Sequence, residues 1–188
     1  RHESPNTATG ILIEEHEVVL MALKAVDSQG GPRSVSGVAR LLDFLRVLVD
    51  RGHHTKEEHY LFPAVQRLGS PEASSLVDLL LEEHEMARTQ IRAAQAALAD
   101  AEAGSDEALM NLNRALSVYV EIIHPHIVRE NDVLFPMVDR LLNERDQHEL
   151  VAAFARIEAE ILGPGVHERY HRLAHELAAG RTQSGGGS

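Results

Sequence analysis

The chain has 188 residues, and its 29 aspartates and glutamates outnumber its 18 lysines and arginines, which gives a formal net charge of −11. An acidic chain with no cluster of basic residues and no long apolar run is unsuited to nucleic acid or to membranes. Cysteine is absent, which excludes disulfide scaffolds, thiolate catalysis and cysteine-based metal sites, whereas histidine occurs 12 times. With no signal peptide visible over residues 1–10, we expect a cytoplasmic protein without nucleic-acid or membrane partners.

Glycine, proline and serine punctuate the chain at four places, and the stretches between them are rich in residues that favour helices. Ser70, before Pro71, and Ser105, before Asp106, are predicted helix N-caps. No stretch alternates polar and apolar residues with the period of a strand. In chain order the sequence predicts helices over 8–28, 34–68, 71–103, 106–142, 144–162 and 166–179, then a flexible tail over 180–188.

Each of the first four predicted helices carries one apolar stripe at helical spacing, so each can bury a single face. Short connections between these helices predict an all-α fold, an antiparallel up-down-up-down four-helix bundle over 8–143. The two C-terminal helices, over 144–179, are expected to pack on this bundle. We expect a monomer or a weak homodimer.

An internal repeat relates the two halves of the predicted bundle. Residues 11–17, which contain Glu-Glu-His-Glu, match residues 79–85, and residues 53–63 match residues 126–136, both ending in Leu-Phe-Pro. Each half therefore contributes a lone histidine and a His-x-x-x-Glu motif. The match yields three pairs of residues: His16 with His84, His53 with His126, and Glu57 with Glu130.

These six residues continue apolar stripes and should point into the bundle interior. A buried carboxylate is costly without a partner, and a spacing of four residues puts histidine and glutamate side by side on one helix face. One such histidine would most simply be a buried residue bonded to backbone, but two matched sets favour a metal centre. Four imidazoles and two carboxylates suit a pair of iron or manganese ions better than zinc or calcium.

The residues beside these six are assigned to other environments. His54 and Glu58 also stand four residues apart, but their helical row is mixed and polar, so we interpret them as neighbours of the ligands rather than as ligands. The glutamates that flank the two lone histidines are interpreted as solvated; they are Glu14, Glu15, Glu17, Glu82, Glu83 and Glu85.

Over roughly residues 8–142, these motifs resemble the hemerythrin-like (HHE cation-binding) family of non-haem di-iron proteins. The resemblance implies two iron ions with an oxo or hydroxo bridge, and manganese is the less favoured metal. It assigns the ligands in three sets: His16 and His53 to one iron, His84 and His126 to the other, and Glu57 and Glu130 to both.

The sequence departs from the oxygen-carrying members of that family at two places. Those proteins have a fifth histidine one turn after the third-helix histidine, where this chain has Arg88, and an aspartate where it has Glu130. The resemblance then implies an open position on each iron, which favours catalase-like or oxidase chemistry over reversible oxygen carriage. The small-molecule ligand would be O2, H2O2 or NO. The alternatives are an iron or oxygen sensor, an oxygen-binding protein without turnover, or a helical interaction protein that binds metal incidentally.

Several residues near the predicted centre are candidates for further roles. Tyr60 and Tyr119 could supply a phenolate or a hydrogen bond, with core packing as the alternative, and His54 and Glu58 could transfer protons. His167 could be an extra ligand if the last helix folds over the bundle mouth, although a solvent-exposed ladder is the simpler interpretation.

A proline in the fourth helix and three further histidines are predicted to affect or occupy positions outside the ligand set. Pro125 stands immediately before His126, so we expect a kink or bulge at that point of the fourth helix. We interpret His2, His59 and His148 as surface residues.

Overall fold

A computed structural model describes residues 7–27 and 35–179, and every regular element in these ranges is a helix. The all-α prediction is confirmed, and each predicted helix boundary lies within two residues of the observed one. The helices of the described ranges are α1 (Ala8–Asp27), α2 (35–67), α3 (Pro71–Glu102), α4 (106–141), α5 (144–162) and α6 (Val166–Ala178). His2 and the predicted tail over 180–188 lie outside the described residues.

Side-chain caps begin three of these helices. The hydroxyl of Ser70 accepts a hydrogen bond from the backbone N–H of Ala73, and that of Ser105 accepts one from Ala108, so both predicted N-caps are confirmed. Helix α5 begins with a capping box between Asn143 and Asp146. These bonds satisfy N–H groups that have no partner inside the helix, and so they fix where each helix starts.

Helices α2 and α4 contain π-helical turns at matching places in the repeat. In α2 the π segments are Leu45–His54 and Glu57–Leu61, and in α4 the segment is Glu130–Leu134. Both short segments end just before a Phe-Pro pair. A proline ring clashes with the carbonyl four residues earlier, and widening the preceding turn relieves that clash.

The expected distortion at Pro125 is not where the sequence placed it. Helix α4 stays α-helical from Asp106 through Pro125 to Arg129, and the π turn begins only at Glu130. Pro136, in the repeated Leu-Phe-Pro motif, follows this π turn directly. The proline that accompanies the bulge is therefore the one after it, as at Pro63 in α2.

The buried apolar side chains form two clusters, and helices α1 to α4 each run from one to the other. On α1, Leu12 belongs to one cluster, which also contains Phe62 and Phe135, and Val19 belongs to the other. His16 stands between them in the sequence. On α3, Leu80 and Ala87 hold the corresponding positions. His16, His84 and the histidines of the two His-x-x-x-Glu motifs therefore lie in a layer between two apolar cores.

The remaining helix contacts complete the fold. Helices α3 and α4 pack on each other along much of their length, α5 contacts α1, and α6 packs on α1 and α2. The up-down-up-down order and the division at residue 143 stay predictions. No helix in the described ranges is both long and apolar enough to cross a bilayer.

Candidate metal centre

Among the described residues, the layer between the two cores contains seven buried histidines and glutamates whose donor atoms could hold a metal. They form two groups in which one donor atom from each residue lies within 4.8 Å of the others. Glu57 belongs to both groups. The first group is His16, His53, Glu57 and Glu130; the second is His54, Glu57, His84 and His126.

The two carboxylates each face a histidine from both halves of the repeat. For Glu57, one oxygen lies 3.2 Å from His53 Nε2 and the other lies 3.4 Å from His84 Nε2. For Glu130, one oxygen lies 3.2 Å from His126 Nε2 and also 3.2 Å from His16 Nε2. The six residues that the sequence pointed inward are therefore brought together, and both glutamates lie between the histidine sets.

The inward-facing atoms are short of hydrogen-bond partners. Within the described part of the chain, Nε2 of His16, Nε2 of His53 and all four oxygens of Glu57 and Glu130 have no partner. Buried polar atoms are nearly always hydrogen-bonded, so this set requires an explanation. A cation in the layer would supply one, because one donor atom from each of these four residues lies within 4.8 Å of the others.

The outer nitrogens of the same histidines are held by protein acceptors, which fixes the ring orientations. These hydrogen bonds orient a ligating imidazole and leave the other nitrogen free for a metal. The four Nδ1 contacts are His16 to Asn131 at 2.7 Å, His53 to Glu15 at 2.8 Å, His84 to Glu58 at 2.7 Å, and His126 to Glu83 at 3.0 Å.

Glu15 and Glu83 are not solvated, contrary to the sequence interpretation. They are only 5% and 9% exposed, and each accepts a hydrogen bond from the histidine of its own half. Glu15 is also bound by the fully buried Lys56, and Glu83 by Arg129. On α1 the glutamate contacts α2 and the lone histidine contacts α4, whereas on α3 the glutamate contacts α4 and the histidine contacts α2, so neighbouring helices on both sides bury these residues.

The repeated Leu-Phe-Pro motif also contributes to the centre. Phe62 stacks on His84 with ring centroids 5.8 Å apart, and Phe135 stacks on His16 at 5.6 Å. Each phenylalanine therefore covers the lone histidine of the other half. The motif thus shields the polar layer from one apolar cluster while the proline that follows accompanies the π turn.

His54 joins the second group, whereas the sequence assigned it a neighbouring role. Its side chain is 3% exposed, and its ring stacks on that of His84 with centroids 3.8 Å apart. The row through His54 is polar only with the period of an α-helix, and residues 45–54 form a π-helix. Hydrogen bonds that span five residues widen the turn, so the adjacent His53 and His54 both reach the interior.

The charges in this layer compensate one another without a metal. Burial opposes protonation of His53, but the charge of Glu57 and the hydrogen bond to Glu15 raise its pKa to about 10. Burial likewise opposes protonation of His126, and Glu130 with Glu83 raises its pKa to about 10. Burial lowers the pKa of His54 to about 3, and the neighbouring His84 adds to that effect. Without a metal, the protonated rings of His53 and His126 therefore balance the negative charges of the buried carboxylates.

Arg88 stands where the resemblance placed a fifth histidine, and it organises the edge of the second group. Its guanidinium binds Asp50 at 2.6 Å, Glu58 at 2.6 Å and Glu85 at 2.7 Å. Glu58 in turn holds Nδ1 of His84. Arg88 therefore positions the second group through Glu58, and the fifth imidazole comes from α2 rather than α3.

The other candidate residues lie outside both groups. Tyr60 is half-buried against the cluster that contains Leu12. Tyr119 is 2% exposed, and burial, with the charge of Asp50, raises its pKa, so its phenol keeps the proton. His167 is exposed on α6 and belongs to neither group, in agreement with the solvent-exposed interpretation. His59 and His148 are exposed, as predicted.

Comparison with known proteins agrees with this geometry. The model of the hemerythrin HHE cation binding domain matches residues 7–138. An uncharacterized protein of Mycobacterium bovis is 24% identical over 162 residues, which cover 81% of this chain and 61% of that protein. Uncharacterized proteins from two strains of Mycobacterium tuberculosis match with the same identity and coverage, so this chain spans 61% of the length of these relatives. No solved structure matches it.

The matched range contains all seven residues of the two groups and both Leu-Phe-Pro motifs. The duplicated histidines and glutamates and the family model thus point to the same part of the chain. The chain belongs to the hemerythrin HHE cation-binding family.

Proposed function

We propose that the chain holds two iron ions in the buried layer and reacts with O2, H2O2 or NO. The antiparallel four-helix arrangement predicted from the sequence would frame this centre. His16 and His53 would hold one ion, and His54, His84 and His126 the other, with Glu57 and Glu130 between them. The observation that carries the proposal is the set of inward nitrogen and carboxylate atoms without hydrogen-bond partners.

The donor set fits iron or manganese. It contains imidazole nitrogens and carboxylate oxygens but no sulfur, and carboxylates that face two histidine sets suit a pair of ions. Calcium prefers oxygen ligands alone, and structural zinc is normally closed by four ligands. Iron is preferred over manganese because five imidazoles make the site rich in nitrogen.

When bound, a pair of ferrous ions supplies two electrons to a small oxidant. The chain's own residues provide the surroundings for that reaction. The two apolar clusters exclude water from the layer, and Glu15 and Glu83 hold their histidines in one orientation. The protonated phenol of Tyr119 and the guanidinium of Arg88 line a pocket beside His54, where they can stabilise negative charge and donate hydrogen bonds.

We favour turnover of peroxide or activation of O2 over reversible oxygen carriage. Four imidazoles would leave one open position on each ion, and His54 as a fifth imidazole changes that count. The preference now rests on the pocket lined by Asp50, Arg88 and Tyr119, because its guanidinium and phenol can stabilise the negative charge that develops when a small oxidant is reduced. His54 gives the second ion one more imidazole than the first, so the two metal positions differ in their ligands. They also differ in surroundings, because the polar pocket lies beside the second position only.

Metal analysis and rapid mixing test this proposal together. We expect about two irons per chain in protein loaded under anaerobic conditions, and oxygen evolution with a spectral change when the oxidised protein is mixed with H2O2. The variant carrying His53→Ala and His126→Ala should lose both signals. Two bound irons with neither oxygen evolution nor a spectral change would remove the enzymatic assignment and leave a carrier or a sensor.

The sensor alternative has one observation in its favour. The buried carboxylates of Glu57 and Glu130 have no hydrogen-bond partner, so metal binding would also stabilise the fold. A sensor of this type should lose much of its helicity when iron is removed, which circular dichroism measures. An iron-free protein that keeps its helicity and its melting temperature would argue against this alternative.

A further inference from the structure

A pocket of about 200 Å³ opens beside the second ligand group, and its lining carries an excess of positive charge. Four arginines line it, namely Arg46, Arg51, Arg88 and Arg92, and the single carboxylate in the lining is Asp50. The chain as a whole has a net charge of −11, so this pocket reverses the overall balance. The reversal marks the pocket as a place where an anion is attracted.

Three of these arginines have no carboxylate to neutralise them. Asp50 is bound by Arg88, whose Nε lies 2.6 Å away and whose other nitrogens bind Glu58 and Glu85. Within residues 7–27 and 35–179, no ion pair involves Arg46, Arg51 or Arg92. Neutral groups contact two of them: with its oxygen turned to the guanidinium, Gln95 accepts from Arg46 at 2.7 Å, and Thr89 accepts from Arg92 at 3.0 Å.

The inner wall of the pocket adds buried polar groups. Tyr119 and His54 both line it and are 2% and 3% exposed. In the described part of the chain, Nδ1 of His54 has no hydrogen-bond partner, and the nearest oxygen of Asp50 is 3.6 Å away. The other four histidines of the centre all have an acceptor at Nδ1. The described residues that line the pocket thus include a buried nitrogen without a hydrogen-bond partner and, at the rim, three guanidinium groups without a carboxylate partner.

We propose that this pocket binds a small oxyanion between the arginine rim and His54. Carboxylate and nitrate ions share the planar pair of oxygens that guanidinium groups recognise. The volume suits a handful of non-hydrogen atoms and is smaller than the sites that hold drug-sized ligands or cofactors. The bound anion lies against the ring of His54, and so it acts on the second metal group without replacing any of its residues.

Calorimetric titration of the metal-loaded protein tests the inference with probes of matched shape. Acetate and acetamide have nearly the same size, but only acetate is charged. At constant ionic strength we expect acetate to bind and acetamide to give no measurable heat. A parallel titration with nitrate distinguishes a preference for carboxylates from one for inorganic oxyanions, and the tighter of the two ions identifies the class.

The rim arginines give the decisive variant. Arg46 and Arg92 are exposed, so Arg46→Gln with Arg92→Gln should fold normally and weaken acetate binding at least about tenfold. The control, Arg140→Gln with Arg145→Gln, removes the same charge outside the pocket and should change the affinity less than about twofold.

Two outcomes would overturn the oxyanion site. One is equal binding of acetate and acetamide or no binding of acetate and nitrate. The other is an acetate affinity that the rim variant leaves unchanged, which would indicate direct binding to the metals. Metal content measured on the same samples separates this result from a failure of the proposed function, because the arginines do not depend on iron for their charge.

Discussion

The two halves of the repeat agree at the residues that face inward and differ at the residues beside them. The inward pairs, His53 with His126 and Glu57 with Glu130, make matching contacts, because each glutamate faces the histidine four residues before it and the lone histidine of the other half. Their outer partners also match, since Glu15 and Glu83 hold them. The differences are Asp50 against Ile123, His54 against Ile127, Glu58 against Asn131 and Arg88 against Leu20.

This difference makes the two sides of the layer chemically unequal. On one side Ile123 and Ile127 are buried in an apolar cluster, and on the other their counterparts line a polar pocket. The lone histidines differ too, because His84 is held by the carboxylate of Glu58 and His16 by the neutral amide of Asn131. An anionic partner makes an imidazole a stronger ligand, so a duplicated framework carries two unequal metal positions.

The largest expected effect comes from the carboxylates that both halves share. Glu57→Ala or Glu130→Ala should lower iron content from about two to below one per chain, because each side chain faces histidines of both halves. Metal analysis after dialysis against a weak chelator measures this loss. Glu82→Ala, an exposed glutamate on α3, is the matched control and should keep both ions. Full iron content in the Glu57 variant would show that the shared position does not hold metal.

His54→Ile makes the first half resemble the second and tests the inequality directly. Only the second group contains His54, so we expect the affinity for one ion to fall about 10- to 100-fold while the other is unchanged. An iron titration followed by absorbance should become biphasic. His59→Ile, on the exposed side of α2, controls for the loss of a histidine. Equal weakening of both ions would contradict the assignment of His54 to one position.

The outer glutamates differ in how their basic partners are buried. Lys56, which binds Glu15, is fully buried, whereas the side chain of Arg129, which binds Glu83, is 37% exposed. Glu15→Gln should therefore lower the free energy of unfolding by about 3 kcal/mol, since it leaves a buried ammonium with only Glu158 as a partner. Glu83→Gln should cost only about 1 kcal/mol, because water solvates the arginine. Urea unfolding of the two variants measures the difference, and equal losses would refute this explanation.

The sequence predicted the helices and six of the seven central residues because both follow from helical periodicity and the cost of burying charge. His16 and His84 interrupt apolar stripes, and the internal repeat shows that the same interruption occurs at matching positions in both halves. The stripe argument assumes 3.6 residues per turn, and so it holds wherever the helix is α.

The sequence did not predict the places of His54, Glu15 and Glu83 because the apolar stripe of an α-helix describes only one face of a single helix. His54 reaches the centre only because α2 is π-helical there, and the prolines that signal such turns stand several residues later. Glu15 and Glu83 are buried by a neighbouring helix rather than by their own stripe. Their repetition directly before His16 and His84 was a usable signal, because solvated positions have no reason to repeat.

The smallest expected effect is a pH dependence that distinguishes the iron-free from the loaded protein. The pKa values of His53 and His126 are raised to about 10 beside the carboxylates, against about 6.5 in an unfolded chain. This stabilisation is complete below pH 6.5 and is lost as the pH rises towards 10, because the folded state binds more protons in that window. His54 does not contribute there, since its pKa is lowered to about 3 and it is neutral in both states above pH 6.5.

The iron-free protein should therefore lose about 2 kcal/mol of unfolding free energy between pH 7 and pH 8, as measured by urea unfolding in the presence of a chelator. The loaded protein should lose much less, because its histidines bind metal in place of protons and metal binding releases those protons. The variant with His53→Ala and His126→Ala should be nearly flat in the same window. If the iron-free wild type is equally flat, then the protons do not occupy the place of the metals, and the account of the charges in the layer is wrong.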